Sequence, residues 1–267
     1  MTEQRSSGSC QWRYALVNGV RTDIEKAQSG DLGECELCHG QLRARKGDVR
    51  VPHWAHVSRD VCDSWHESKG PWHIAWQNEF PEEWRECLIV KDQDRHIADI
   101  RTKHGLVIEF QHSAMNRDEQ EAREKFYGNM IWVVDGKRLK NDWARFEKNA
   151  NANLKNILNQ ATRSPTMFWV ASDSAKIFPH AWLNSTVPVL FDFGKDVLWS
   201  LLPTRTKQGA SMAIPFLRNV FIQRVTNHIS LFDDSPVALV AELSRILDFR
   251  RTYVPNLLPR PHRHYRL

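Results

Sequence analysis

The alternation of apolar and polar residues divides the chain into zones with different periods. Residues 1–70 carry few apolar runs and are rich in Cys, His and Gly, so this zone is not expected to bury much by itself. From residue 71 the pattern becomes regular. Pro71 suits the first turn of a helix, and Trp72, Trp76 and Phe80 follow at i, i+4 and i+8, one apolar stripe. Pro81 marks its end. Glu86–Asp92, His96–Arg101 and Leu106–His112 then read as three strands. Asn116–Tyr127 reads as a charged helix, Met130–Asp135 as a short strand apolar on both faces, and Asn141–Gln160 as a further helix. This order predicts an α/β fold, a mixed sheet with helices packed on it. Residues 165–249 add apolar runs at Thr166–Ala171 and Val187–Phe193, followed by two helical stretches, and so predict a C-terminal α+β extension.

One hairpin carries candidate chemistry. In the strand ending at Gln111, Leu106, Ile108 and Phe110 face one way, and Val107, Glu109 and Gln111 the other. Lys103-His104-Gly105 suits a three-residue loop, with Gly for the left-handed position. If Thr102 pairs with Leu106, Asp99 falls opposite Glu109, where cross-strand Cβ atoms lie about 4.5–5.5 Å apart. Two carboxylates that close repel unless a cation separates them, and Mg²⁺ or Mn²⁺ prefers such hard oxygen ligands. A metal held there activates water and steadies the charge that develops in phosphodiester hydrolysis. Gln111, on the same face, can orient water or contact phosphate but cannot serve as a base. The competing reading is a solvated edge hairpin. Against it, both acids sit within otherwise apolar strands, where an uncompensated charge is costly.

Composition changes this picture modestly. Lys and Arg exceed Asp and Glu by 37 to 32, a net +5 that is compatible with a polyanionic partner without requiring one. Eleven tryptophans suit a heavily packed core first and a base-stacking surface second. No stretch approaches a membrane span and the first residues lack an apolar signal core, so a cytoplasmic location is expected. Reduced cysteines are expected there, and close pairs read as metal ligands. Cys35 and Cys38, followed after fourteen residues by His53 and His56, have the spacing of a tetrahedral Zn²⁺ site, with Cys62 and His66 as substitutes. Four protein ligands leave no open position, so its role would be structural.

Asp-x9-Glu-x-Gln on a hairpin, followed by a helix and an apolar strand, resembles the PD-(D/E)XK nuclease core with Gln in place of the usual Lys. More narrowly, His96–Ile100, Val107–Ser113, Arg123–Gly128 and Met130–Asp135 look like the competence protein CoiA-like family, over about residues 35–136. The resemblance implies a restriction-endonuclease-like core behind a zinc-finger-like segment. It implies that Asp99 and Glu109 bind catalytic metal with Gln111 beside them, and that a further acid comes from the first helix region. Glu67 is the first choice, although Ser-Lys-Gly-Pro separates it from Trp72, and Glu86 is the substitute. His73 matches a family position, in a catalytic or a packing role.

The expected organisation is a zinc-binding-like segment at 1–66, a nuclease core at 67–160, a C-terminal domain at 161–249 and a basic tail at 250–267. Arg117, Arg123 and Lys125 on the helix after the motif, and Arg250 and Arg251 in the tail, are the candidate nucleic-acid contacts. Residues 161–267 are a candidate surface for protein partners. The function expected is DNA hydrolysis in uptake, recombination or defence. The alternatives are a zinc-stabilised nucleic-acid-binding module and an RNA-acting nuclease.

Overall fold

The computed structural model describes residues 10–58, 62–138, 142–155, 169–171, 174–205 and 211–232. Its first part is a six-stranded sheet built from β1 (Gln11–Trp12), β2 (Tyr14–Val17), β3 (Val20–Asp23), β4 (Leu32–Glu34), β5 (Gln41–Arg45) and β6 (His53–His56), in the order β1-β6-β5-β4-β2-β3. Contrary to the expectation for residues 1–70, this sheet has its own core of Trp12, Ile24, Leu37, Leu42 and Trp54. The strands are too short to show as apolar runs. Gln41–Arg45 buries every second residue and so shows no apolar run.

The second part is a nine-stranded mixed sheet flanked by helices. In chain order it contains α1 (Pro71–Asn78), β7 (Arg85–Lys91), β8 (Asp94–Arg101), β9 (Val107–Gln111), α2 (Arg117–Tyr127), β10 (Met130–Asp135) and α3 (Asp142–Asn153). Then come β11 (Leu154–Lys155), β12 (Trp169–Ala171), α4 (Ser174–Ile177), β13 (Val189–Asp192), β14 (Val197–Arg205), β15 (Ser211–Leu217) and α5 (Arg218–Thr226). The strand order is β11-β12-β15-β14-β13-β10-β9-β8-β7. β10, buried along its whole length, runs parallel to both β9 and β13, which explains its continuous apolar sequence. One face of the sheet packs Ile108, Phe110, Ile131 and Val133 against Trp76 of α1, Phe80 just beyond it and Phe221 of α5. The other packs Val107, Trp132 and Val189 against Tyr127 of α2, Phe146 of α3 and Ile177 of α4. Among the described residues six tryptophans are buried, in keeping with the core reading.

The three strands, the 116–127 helix and the 130–135 strand form where the periods place them, and the helix from Pro71 ends at Asn78, just short of Phe80. α2 is capped by Asn116, whose side chain accepts from the Glu119 amide. Beyond residue 193 the expectation fails. Two long strands, β14 and β15, precede α5, where helical stretches were expected to follow directly. Pro215 inside β15 and the polar residues of β14 obscure the strand pattern. These strands also join the main sheet through β13 and β10, so the sheet runs across the boundary expected at residue 160. The expected helical residues 156–160 and the tail with Arg250 and Arg251 lie outside the described residues. Among the described residues, no helix is long and apolar enough to cross a membrane.

Candidate active site and metal centre

The β8–β9 hairpin closes as its loop predicts. Thr102 N donates to Leu106 O at 2.9 Å, and Gly105, at a φ of +83°, completes the turn. The ladder pairs Arg101 with Val107 and Ile100 with Ile108, a register that continued by one residue sets Asp99 against Glu109. At that residue side chains take over from the backbone ladder. Asp99 N donates to Glu109 Oε1 at 3.1 Å, and Phe110 N donates to Asp99 Oδ2 at 3.0 Å. The two carboxylates fill this fork in the sheet, 6% and 4% exposed.

Helices on opposite faces reach into the fork. From α1, His73 Nε2 lies 2.8 Å from Asp99 Oδ1, its ring edge-on to Phe110. From α2, Arg123 Nη1 donates to Glu109 Oε2 at 3.1 Å. α1 is held in place by its two tryptophans. Trp72 Nε1 and Trp76 Nε1 both donate to Asp192 Oδ2, at 3.0 and 2.9 Å, which fixes the helix face that bears His73.

The loop 62–70 closes the pocket. Asp63 anchors it to β8 by accepting from Ile97 N and pairing with His96, on which Trp65 stacks. Past that anchor the loop delivers Glu67 and Lys69. Glu67 Oε1 accepts from Gln111 Nε2 at 2.8 Å, and that amide also donates to Ser113 O and Oγ. Lys69 Nζ lies 2.5 Å from Glu86 Oε1 and 3.4 Å from Asp99 Oδ1. Glu86 is tied further to the Arg13 amide, at 2.7 Å. Of the two acids left open by the sequence, Glu67 lines the pocket, and Glu86 holds Lys69 from behind. As expected, Glu67 precedes the helix.

Charge in the pocket is unevenly balanced. Burial disfavours ionised Asp99, but His73 and Lys69 outweigh it and hold the carboxyl below its ordinary range. Burial and the neighbouring Asp99 charge push Glu109 up, to about 8, against the pull of Arg123. Burial alone would lower Lys69, but Glu86 and Asp99 raise it, so it stays an ammonium. The cavity between these groups has a volume of about 30 Å³ and is lined by Asp99, Glu109, Glu67 and Gln111. That is room for a water or a small ion, and the hard-oxygen donor set suits a divalent cation of the Mg²⁺ type.

Lys69 was missed by sequence reasoning, which treated Ser-Lys-Gly-Pro as a spacer. The signal available was the Gln at the motif's usual Lys position, which leaves two buried acids without their ammonium. Arg123 corrects the reading in the other direction. Expected on the substrate surface, it is 4% exposed and committed to Glu109, Glu119 and Trp65 O. Arg117 is exposed but paired with Glu121, and Lys125 is exposed.

Residues 90–188 match the family model of the competence protein CoiA, nuclease-like domain. The CoiA nuclease-like match begins later and extends further than the resemblance over 35–136 had implied. It takes in Asp99, Glu109, Gln111, α2 and β10 and is consistent with the CoiA-like family. It suggests a nuclease-type function in competence. Glu67, Lys69 and His73 lie before the matched stretch, so their place beside it rests on the geometry. No curated protein and no solved structure gives a significant match to the chain.

A second cluster lies before the matched stretch. Cys35, Cys38, His56 and Cys62 bring one ligand atom each to within 4.8 Å of one another. Cys38 Sγ lies 3.2 Å from His56 Nε2, and Cys35 Sγ lies 3.9 Å from Cys62 Sγ. Sulfurs about 2.3 Å from one tetrahedral zinc are about 3.8 Å apart, so the set could hold Zn²⁺. The His56 ring is oriented by Cys10 O, 3.3 Å from Nδ1, which leaves Nε2 to the metal. A hydrogen bond from Cys62 lowers the Cys35 thiol to about 5, while Cys62 itself is pushed up between Cys10 and Cys35. A cation would displace the proton held there.

His53, expected as the fourth ligand, is replaced by the substitute Cys62. His53 and His56 lie on one strand three residues apart, so their side chains leave opposite faces. His53 Nδ1 donates instead to Val51 O at 2.8 Å. His66, the other substitute, lies against Gln11 and edge-on to Trp12, away from the cluster.

Proposed function

We propose that the chain is a metal-dependent deoxyribonuclease of the PD-(D/E)XK type, acting on DNA in uptake, recombination or defence. The observation that carries this reading is the fork itself. Two buried carboxylates from adjoining strands converge with Glu67, Gln111 and an ammonium at a cavity of ionic size. A purely structural pair would be better separated or replaced, because a second buried charge opposes the first.

In this reading Asp99 and Glu109 hold Mg²⁺ or Mn²⁺, with Glu67 the further acid. The bound ion would supply an activated water and neutralise charge on the scissile phosphate. The chain's own residues do the positioning. Gln111, held by Ser113 and Glu67, presents its amide to water or phosphate. Lys69 offers N–H donors where the motif's usual Lys is missing, and His73 fixes the rotamer of Asp99. The Cys₃His cluster holds Zn²⁺ and stabilises the first sheet.

Purified protein is expected to cut DNA with Mg²⁺ or Mn²⁺, and Asp99→Ala and Glu109→Ala each to abolish cutting while melting cooperatively. Cleavage that survives both substitutions would overturn the assignment. The same ion pairs also favour a binding module without catalysis, since Lys69, His73 and Arg123 already satisfy the carboxylates. Under that reading no metal produces cleavage.

A further inference from the structure

The first sheet carries a basic groove that the nuclease reading does not use. It has a volume of about 570 Å³ and lies along the β5–β6 hairpin, lined by Arg45, Lys46, Arg50 and His53 with Gln11 at one side. Arg45 and Arg50 are exposed, and no ion-pair partner is recorded for either among the described residues. Asp48 is the one acid among the lining residues. The hairpin is not left loose. Lys46 Nζ donates to Glu25 O and Ala27 O, at 3.1 and 3.0 Å, and pins it to the turn after β3.

The groove lies next to the candidate active site. A narrow cleft shares Gln11 and His53 with the groove, and shares Trp12 and Lys69 with the pocket that holds Asp99 and Glu109. Only this small cleft, at His53, Trp12 and Lys69, separates the basic groove from the carboxylate pocket.

We propose that this groove seats the phosphates of the DNA strand flanking the bond to be cut, with Arg45 and Arg50 as the phosphate contacts. The inference rests on the nuclease reading for its ligand. A polyanion bound at the pocket must leave it in some direction, and this side presents Arg45, Lys46 and Arg50 against a single lining acid, Asp48. His56 of the Cys35, Cys38, His56 and Cys62 cluster also lines the groove, so the first sheet becomes a substrate-binding wall as well as a folded support. Arginine suits such a role, because its planar fork matches phosphate oxygens and keeps its charge at any working pH.

The test is the salt dependence of binding. Zinc-loaded full-length protein, without Mg²⁺ or Mn²⁺, is titrated into a fluorescent single-stranded oligonucleotide of about 20 nucleotides, longer than a typical binding site of ~4–16. Each phosphate contact on a single strand contributes about 0.7 to the slope of log affinity against log salt. Arg45→Ala and Arg50→Ala should each lower the slope by about 0.7 and weaken binding roughly fourfold at 0.15 M salt. The double variant should lose roughly fifteenfold. Arg45→Lys should keep the slope, and Lys103→Ala, on the β8–β9 loop, should leave it unchanged. Unchanged zinc content and melting would show that the variants fold.

An unaltered slope in the double variant, or no binding by the wild-type chain, would overturn the proposal. Tighter binding of RNA through the same arginines would overturn DNA as the ligand. Loss of slope without any cleavage would sink the nuclease reading and leave the groove as a DNA site. Cleavage with an unaltered slope would do the reverse.

Discussion

Replacing Glu124 by Gln removes one charge from α2 and leaves its shape nearly unchanged, yet the cost should be large. Glu124 is buried and accepts five hydrogen bonds. Oε1 takes Gln120 Nε2 at 2.8 Å, Trp132 Nε1 at 3.1 Å and Ser185 Oγ at 2.7 Å. Oε2 takes Thr186 N at 2.7 Å and Thr186 Oγ1 at 2.6 Å. These bonds tie α2 to the central strand and to the segment entering β13. A Gln oxygen can replace one carboxylate oxygen only. If it faces the first three donors, each bond weakens by about 1 kcal/mol on losing its ionic partner. Its NH₂ then opposes the Thr186 amide, which is left unpaired at ~1–3 kcal/mol. Relief from burying a charge offsets part of this sum, leaving about 3 kcal/mol, near the 3–5 kcal/mol typical of a broken buried charge network.

The control is Glu121→Gln on the same helix, where the pair with Arg117 is more than half exposed and worth well under 1 kcal/mol. Melting followed by circular dichroism at matched zinc should show a fall of about 6–12 °C for Glu124→Gln and less than about 2 °C for Glu121→Gln. Equal shifts for the two variants would refute the reasoning, because burial and five donors are all that separate them.

Zinc content offers a second test: Cys62→Ser and His56→Ala should lose the metal measured by mass spectrometry, while His53→Ala should retain it. Zinc lost with His53 and kept without Cys62 would reverse the ligand assignment. Tyr14 provides a pH test. Burial pushes its phenol up to about 12, and its hydroxyl has no hydrogen-bond partner among the described residues. Because the folded value lies above the unfolded one near 10, this stability is complete below pH 10 and falls as pH rises towards 12. Tyr14→Phe should melt at or above the wild-type temperature at pH 7 and lose less stability between pH 10 and 12. A marked loss at pH 7 would show that the hydroxyl has a partner. For the candidate active site, Lys69→Met should reduce cleavage far more than Lys103→Met, and equal activity would remove Lys69 from the site.

Much of the central fold was legible because its signals are local. A continuous apolar run marked β10, and a three-residue loop set the register of Asp99 and Glu109. The contents of the site were less legible, because α1, α2 and the 62–70 loop meet there only in three dimensions. Arg123 and Glu124 look like members of a solvated charged face, and no period distinguishes a glutamate with five buried donors from one in water. Lys69 sits in a stretch with the composition of a spacer. The pair of histidines at His53 and His56 has zinc-like spacing on paper, but strand alternation sends them to opposite sides. Helical spacing and strand spacing give different answers for the same three-residue interval, and the strand was too short to announce itself.

The position of Cys62 has a thermodynamic consequence. It belongs to the Cys₃His cluster, and five residues later the same loop presents Glu67 to the carboxylate pocket. An ion held by Cys62 fixes one end of that loop, so less conformational entropy remains to be lost when Glu67 and Lys69 take their places. The two candidate metal sites, unlike in ligand chemistry, are thereby linked through nine residues of backbone, Cys62–Gly70. Reciprocity then requires that occupancy of either site raise the affinity of the other by the same factor.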